Sequence, residues 1–202
     1  MWRQGKKACL RILPTPHQFS EAPRQAPDNR PARQSCLWHK LEFAKNAIEI
    51  HGNNFSAVSN AIIEFNRKII DAVHDIVPAV KPNIALYECY GAEGMKAFVD
   101  TVHYAKKKGL IVIEDGKKND IGSTAQAYAE GHLGVVTLAD GSIAAAIDAD
   151  AMTLNPYLGR DSLEPFVGVC KKRGKGIFIL CKTSNPSSKD VQDINVGDSR
   201  VY

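Results

Sequence analysis

The sequence predicts an α/β protein built on a parallel β-sheet, and three observations support that class. Short apolar runs alternate with stretches in which apolar residues recur every three or four positions, as strands and helices do. The runs are continuously apolar, which is typical of parallel strands covered by helices. Polar residues follow each run directly, so functional groups would collect at one edge of the sheet. The 202 residues, 44% hydrophobic and 24% charged, exclude collagen-like, coiled-coil and largely disordered chains.

Residues 1–53 are predicted to form a basic, proline-rich arm that precedes a folded domain at 54–202. The first 35 residues hold seven basic side chains against two acidic ones, and five of the ten prolines. They account for the net charge of +4, and the rest of the chain is nearly neutral. We therefore expect no nucleic-acid partner for the folded domain. A transit peptide, weakened by the prolines, and a nucleic-acid-binding arm are alternatives for this segment.

Neither a membrane span nor a secretory leader is predicted, because no run approaches about 18 uncharged apolar residues. We expect no membrane partner and a cytoplasmic location. The five cysteines are scattered without a CxxC pair, so they predict reduced thiols and neither a disulfide framework nor a metal site. They are Cys9, Cys36, Cys89, Cys170 and Cys181.

The first predicted helix begins near Asn54 and ends before Pro78. A buried strand is expected at residues 79–86 and a helix at 91–108, whose last turn holds three lysines that suit the negative end of the helix dipole. A second strand is expected at 110–113. The apolar face of the first helix comprises Ile62, Phe65, Ile69, Val73 and Ile76.

The second half continues the alternation. A helix is expected at 124–133, capped near Ser123, and a short helix at 143–147. A strand at 151–154 and another at 177–180 are expected to flank one more helix. That helix is predicted to begin in a capping box formed by Asp161 and Glu164 and to end before Gly174.

Polar residues at the carboxyl ends of successive strands favour a (β/α)8 barrel of the TIM type. A doubly wound sheet is the alternative, although no glycine fingerprint for a dinucleotide is present. A complete barrel takes about 250 residues, so the patterned region predicts only about four or five strand–helix units.

Four charged residues are the candidate catalytic group. Asp115 and Lys117 are two apart at a strand end, so their side chains would point the same way. Asp120 follows after a short loop, and Lys81 comes from the preceding strand. Alternating opposite charges in one pocket would titrate as a coupled unit. Charges solvated at the surface are the alternative interpretation of the same residues.

At these residues the sequence resembles a known family. The pattern Asp-x-Lys-x-x-Asp-Ile at 115–121, followed by Gly-Ser-Thr-Ala, is similar to the signature of orotidine 5'-phosphate decarboxylase in its longer bacterial form. Further collinear segments of the same resemblance are Phe65-Asn66-Arg67, Ala79-Val80-Lys81-Pro82, Tyr87-Glu88, Leu154-Asn155-Pro156-Tyr157-Leu158-Gly159, Asp161-Ser162-Leu163-Glu164-Pro165-Phe166 and Thr183-Ser184-Asn185-Pro186.

The resemblance implies decarboxylation of orotidine 5'-phosphate to UMP in pyrimidine biosynthesis, without a cofactor or metal. Lys117 would protonate C6 of the pyrimidine as carbon dioxide departs, Asp115 would lie beside the substrate carboxylate, and Lys81 would complete the charge network. Such a reaction needs a preorganised ammonium, since no cofactor absorbs the developing charge.

The resemblance also implies a homodimer in which Asp120 reaches into the site of the partner, with Thr124 near the same ribose. Ser184 matches a position whose hydroxyl contacts the pyrimidine ring. Ile121 and Asn83 are further candidates for substrate contact.

The chain departs from the family at both ends. The family opens its barrel with a strand ending in an aspartate, which nothing before Asn54 matches, and its phosphate-binding loops are expected beyond Tyr202. We therefore expect an incomplete barrel. A truncated noncatalytic relic or an interaction protein of the same fold is the alternative to an active decarboxylase.

Overall fold

The structure is a computed structural model that describes the backbone of Cys9–Leu10 and residues 42–202, with side chains from residue 45 onward. Most of the predicted arm therefore lies outside the described residues, and its boundary at residue 53 stays a prediction.

Within the described part, the helices are α1 (Glu42–His51), α2 (Phe55–Val73), α3 (Ala85–Glu88), α4 (Gly91–Lys107), α5 (Gly122–Leu133) and α6 (Glu164–Arg173). The strands are β1 (Cys9–Leu10), β2 (Ala79–Val80), β3 (Ile111–Lys118), β4 (Val136–Thr137), β5 (Ile143–Ala144), β6 (Ala151–Leu154), β7 (Gly176–Ile179), β8 (Asn195–Val196) and β9 (Ser199–Arg200). Single 3-10 turns occupy Arg160–Ser162 and Pro186–Asp190.

The main sheet contains five parallel strands in the order β1-β2-β3-β6-β7. The order follows the chain without a reversal, whereas a doubly wound sheet reverses direction at a switch point. Strands added in one direction through right-handed crossovers place their helices on one face, as in an arc of a barrel. The α/β class is confirmed, and the sheet is part of a TIM-type (β/α)8 barrel.

Helices α2, α4, α5 and α6 cover the outer face of this arc, and the core lies between them and the strands. The largest fully buried side chains include Tyr87 and Phe98, whose rings meet edge to face at 5.1 Å. Asn66 of α2 donates hydrogen bonds to Tyr87 Oη at 2.9 Å and to Thr101 Oγ1 at 3.0 Å. This polar contact links α2 to α4 inside an otherwise apolar layer.

The arm contributes regular structure at two places. Cys9–Leu10 pairs in parallel with β2, with Cys9 opposite Ala79, so a strand occupies the outer side of β2. Helix α1 packs on α2 through Ala47, Ala57 and Ala61. The sequence predicted no fold for the first of these segments, because a pair of residues carries no periodic signal.

Local signals predicted several elements correctly. Helix α2 begins after Asn54, whose Oδ1 accepts the Ala57 N–H at 2.9 Å, and α4 and β6 occupy the predicted ranges within one residue. Helix α6 ends at Gly174, which has the left-handed φ of 66° that favours glycine.

Five predictions about individual elements were wrong. The predicted strand at 79–86 stops at Val80, because Pro82 lacks an N–H and the short helix α3 begins at Ala85. The predicted helix at 143–147 is absent: Ile143–Ala144 form strand β5, which pairs antiparallel with β4, and residues 145–147 belong to no helix or strand.

Two further errors concern helix caps. Ser123 lies inside α5, which begins at Gly122, and Leu163 occupies the cap position of α6, with no side-chain cap on either helix. The fifth error concerns the apolar face of the first predicted helix: α2 ends at Val73, so Ile76 lies beyond it and is 64% exposed.

Within the described part of the chain, every helix is too short or too polar to span a bilayer.

Candidate active site

The charged side chains gather where β2 and β3 reach the carboxyl edge of the sheet. Lys81 follows the last residue of β2, and β3 runs on to Lys118, four residues beyond Glu114. Backbone hydrogen bonds hold the two strand ends together, from Asp115 N to Pro82 O at 2.9 Å and from Ile84 N to Asp115 O at 3.4 Å. This pairing places Lys81 beside Asp115.

Three of the four predicted catalytic side chains form one ion-paired group. Lys81 Nζ lies 2.5 Å from Asp115 Oδ2, and Lys117 Nζ lies 2.5 Å from Asp115 Oδ1. The Asp115 side chain is 3% exposed, whereas those of Lys81 and Lys117 are 29% and 47% exposed. We call this group the Lys-Asp-Lys triad. In the triad, each oxygen of the buried Asp115 carboxylate contacts one lysine ammonium. Both lysine side chains are also partly exposed to solvent.

The triad keeps Asp115 ionised. Burial by itself raises the pKa of the carboxyl, but hydrogen bonds from Lys117 and Lys81 outweigh burial and hold the pKa of Asp115 below its ordinary value. The carboxylate therefore presents a fixed negative charge between two ammonium groups, and this arrangement can position a proton donor without solvent rearrangement.

The chain folds locally so that Lys117 can reach this position. The backbone of Lys117 has a φ of 48°, in the left-handed region that non-glycine residues rarely adopt, and the register between β3 and β6 shifts between Glu114 and Lys118. Thr153 of β6 meets this irregular stretch: its Oγ1 accepts the Lys117 N–H at 2.9 Å and lies 3.3 Å from Asp115 Oδ1.

Glu114 and His132 form a second buried polar contact, on the helix-covered side of β3. Alternation along β3 turns Glu114 toward the helices, where His132 Nδ1 of α5 lies 2.7 and 2.8 Å from its two carboxylate oxygens. A Cβ at Gly116 would approach Glu114 Oε1 to 2.8 Å, so the turn between Asp115 and Lys117 is closely fitted to this carboxylate.

The structure does not bring Asp120 into the triad of its own chain, so the expected pocket of four charges holds three. Among described residues, the Asp120 carboxylate has one hydrogen bond, which it accepts from the Ile121 N–H at 2.8 Å. Ile121 is 52% exposed, and Thr124 is exposed in the first turn of α5. Asp120 itself is partly buried in the loop between β3 and α5.

The two remaining predicted residues flank the same edge. Asn83 bridges to Asp115 through the backbone, and its Oδ1 accepts the Ala85 N–H at 3.1 Å. Ser184 is exposed in the loop that follows β7. Gln192 closes that loop by accepting the Thr183 N–H at 2.9 Å and donating to Thr183 Oγ1 at 2.8 Å.

Sequence analysis missed Thr153, Gln192 and the pair formed by Glu114 and His132. Nothing in the sequence around Thr153 indicates a role in the site, because its hydrogen-bond partners, Lys117 and Asp115, are 36 and 38 residues away. Glu114 carried a weak signal, because a carboxylate at an inward position of a strand must find a partner. In the described part of the chain, no three His, Cys, Asp or Glu side chains lie close enough together to hold a metal ion.

Comparisons with known proteins agree with this architecture. Residues 59–201 match the Orotidine 5'-phosphate decarboxylase / HUMPS family. The orotidine 5'-phosphate decarboxylase of Rhodopirellula baltica is 49% identical over 146 residues, which cover 72% of this chain and 47% of the relative. A protein of the same name from Caldicellulosiruptor saccharolyticus is 41% identical over 160 residues, covering 79% of this chain and 52% of the relative.

The fold is similar to that of a solved relative. The structure of Leishmania donovani OMP decarboxylase superposes with a TM-score of 0.59 at 31% identity, and the match covers 79% of this chain and 60% of the other. The chain spans about half the length of the two named sequence relatives.

Proposed function

We propose, from the premise that this chain belongs to the orotidine 5'-phosphate decarboxylase / HUMPS family, that its site converts orotidine 5'-phosphate to UMP and carbon dioxide. The observation that supports the proposal is the Lys-Asp-Lys triad, with both lysines 2.5 Å from a buried aspartate at the carboxyl edge of the sheet. The names of the two sequence relatives favour this reaction within the family.

The proposed step breaks the bond between C6 of the pyrimidine and its carboxylate. Carbon dioxide leaves, the electron pair stays at C6, and the Lys117 ammonium transfers a proton to that carbon to give UMP. Negative charge develops at C6 with no cofactor to absorb it, so a preorganised ammonium stabilises the transition state electrostatically. We assign Asp115 to the position beside the substrate carboxylate and Lys81 to the far side of Asp115.

We further propose that the working form is a homodimer in which Asp120 of each copy reaches the site of the other. The support is that Ile121 and Thr124, which follow Asp120 in the chain, are exposed and that Asp120 does not join the triad of its own chain. In this arrangement Thr124 lies near the ribose and Ile121 lines the same substrate site.

The remaining assignments concern substrate contact and location. We assign Ser184 to the pyrimidine ring and Asn83 to the substrate, because both lie on the edge that holds the triad. We place the protein in the cytoplasm, which the reduced thiols of Cys170 and Cys181 favour. Fractionation of cells that express the tagged chain tests the location.

Release of carbon dioxide from carboxyl-labelled orotidine 5'-phosphate tests the activity. Lys117→Ala should lower turnover by at least about 10³-fold, because it removes both the stabilising charge and the proton donor. Lys107→Ala is the matched control, since Lys107 is exposed on α4 and lies away from the triad, and it should keep the turnover of the parent.

A Lys117→Ala variant that keeps turnover close to that of the parent would contradict the role of Lys117. A parent that shows neither saturable UMP binding nor turnover would favour the alternative of a noncatalytic protein of the same fold. Sedimentation with and without UMP tests the dimer, and a monomer at saturating UMP would contradict the exchange of Asp120.

A further inference from the structure

We propose that Thr153 is a positioning residue of this site, and that its single hydroxyl holds both the backbone of Lys117 and the carboxylate of Asp115. This inference deepens the proposed function and rests on it only for the turnover measurement.

The first step is the placement of Thr153 on the site face of its strand. Along β6, Met152 and Leu154 point into the helix-covered core, where both are fully buried. Side chains alternate across a strand, so Thr153 between them points to the opposite face of the sheet, toward Asp115 on β3. Thr153 is 9% exposed, so its hydroxyl needs partners within the protein.

The second step is that one hydroxyl uses both its acceptor and its donor capacity at this place. Oγ1 accepts the N–H of Lys117 at 2.9 Å, which leaves the hydroxyl proton free to point at Asp115 Oδ1, 3.3 Å away. Asp115 Oδ1 is the same oxygen that contacts Lys117 Nζ at 2.5 Å. Thr153 therefore contacts both the backbone of the proposed proton donor and the carboxylate that pairs with its ammonium.

The third step is the conformation that the hydroxyl maintains. With a φ of 48°, the backbone of Lys117 is in an unfavourable region that persists only where surrounding contacts hold it. The hydrogen bond to Thr153 is a contact of this kind at the N–H of Lys117. Without it, the backbone of Lys117 can relax toward negative φ, which would swing the ammonium away from Asp115.

Two substitutions separate the hydroxyl from the shape of the side chain. Thr153→Val keeps the branched shape and removes the hydroxyl, whereas Thr153→Ser keeps the hydroxyl and serves as the matched control. We expect Thr153→Val to lower kcat about tenfold, as loss of one hydrogen bond near a charge does, and to leave the Kd for UMP within about twofold. Thr153→Ser should keep the kcat of the parent.

A second measurement does not depend on turnover. The pKa of Asp115 can be followed by carbon NMR of aspartate-labelled protein, with Asp115→Asn for assignment. Losing the hydroxyl donor and the close contact of the Lys117 ammonium should raise the pKa of Asp115 in Thr153→Val, whereas Thr153→Ser should leave it unchanged. A merely structural role of Thr153 would not produce this pattern.

The outcomes distinguish this inference from the proposed function. If the parent neither binds UMP nor turns over substrate, and the pKa still responds as expected, the proposed function fails and the contact to Asp115 stands. An unchanged pKa in Thr153→Val overturns the inference, and so does an unchanged kcat in that variant of an active parent. If Thr153→Val does not fold by circular dichroism, Thr153→Ala replaces it in both measurements with the same expected results.

Discussion

Replacing Asp115 by asparagine should destabilise the protein at neutral pH, because the triad would become two ammonium groups facing an amide. The amide would offer one acceptor oxygen and would turn an NH2 donor toward the other lysine. Removing one partner of a fully buried ion pair costs about 3 to 5 kcal/mol. Water reaches the lysines, whose side chains are 29% and 47% exposed. We therefore expect a smaller loss, about 2 kcal/mol of unfolding free energy, or roughly 4 to 8 °C in Tm.

The effect should depend on pH in one direction. The pKa of Asp115 in the folded protein lies below its ordinary value, and an unfolded aspartate has a pKa of about 3.9. The stabilisation is thus fully present above about pH 4 and is lost as the pH falls through the lower folded value. Parent and Asp115→Asn should differ most at pH 7 and converge in strong acid, where both side chains are neutral.

Urea unfolding followed by far-ultraviolet circular dichroism, at a series of pH values, measures this difference. Asp190→Asn is the control, because Asp190 is exposed beyond β7 and its substitution should change the free energy of unfolding by less than about 0.5 kcal/mol. An Asp115→Asn variant as stable as the parent at pH 7, or a difference that does not change with pH, would refute the electrostatic account of the triad.

Three further predictions follow from individual contacts. Phe98→Ala should cost about 3 to 5 kcal/mol in urea unfolding, because the side chain is fully buried in the layer between helices and sheet. Gly174→Ala should cost about 1 kcal/mol in the same assay, since its φ of 66° strains any residue with a Cβ. Gln192→Ala should speed amide hydrogen exchange in the peptide that contains Ser184 without changing Tm by more than about 2 °C, because Gln192 ties only that loop, through Thr183.

Each of these has a result that would contradict it. A Phe98→Ala variant less than about 1 kcal/mol below the parent would mean that the core repacks around the gap. Unchanged stability in Gly174→Ala would mean that α6 ends in another conformation. Equal exchange in the loop after Gln192→Ala would show that other contacts close it.

Elements with a strong local pattern were predictable from the sequence. Helix α4 and strand β6 occupy the expected positions, because their apolar periodicity reflects a face that must be buried. Residues 143–147 carried only a short apolar run, and such a run does not distinguish a strand from a helix. Ile143–Ala144 form a strand because they pair with β4 across the turn at Gly141.

The candidate site was predictable in part. The two-residue spacing of Asp115 and Lys117 placed both side chains on one face, and the preceding strand end supplied Lys81. The structure brings these three together but leaves Asp120 out, because β3 ends at Lys118 and Asp120 lies in the short loop before α5.

The sequence by itself determined the class of the protein, its family resemblance and the identity of the triad, because these depend on residue type and on spacing along one strand. Only the tertiary structure decided that Thr153 meets Lys117 and that Gln192 closes the loop of Ser184. Those contacts join residues that are distant in sequence or that approach through a turn. A hydrogen bond forms only where two strands or a folded loop bring its donor and acceptor within about 3 Å, so the sequence alone does not reveal it. The left-handed backbone of Lys117 was also decided by the tertiary structure. No local preference of lysine favours this conformation, and Thr153 of a neighbouring strand holds it in place.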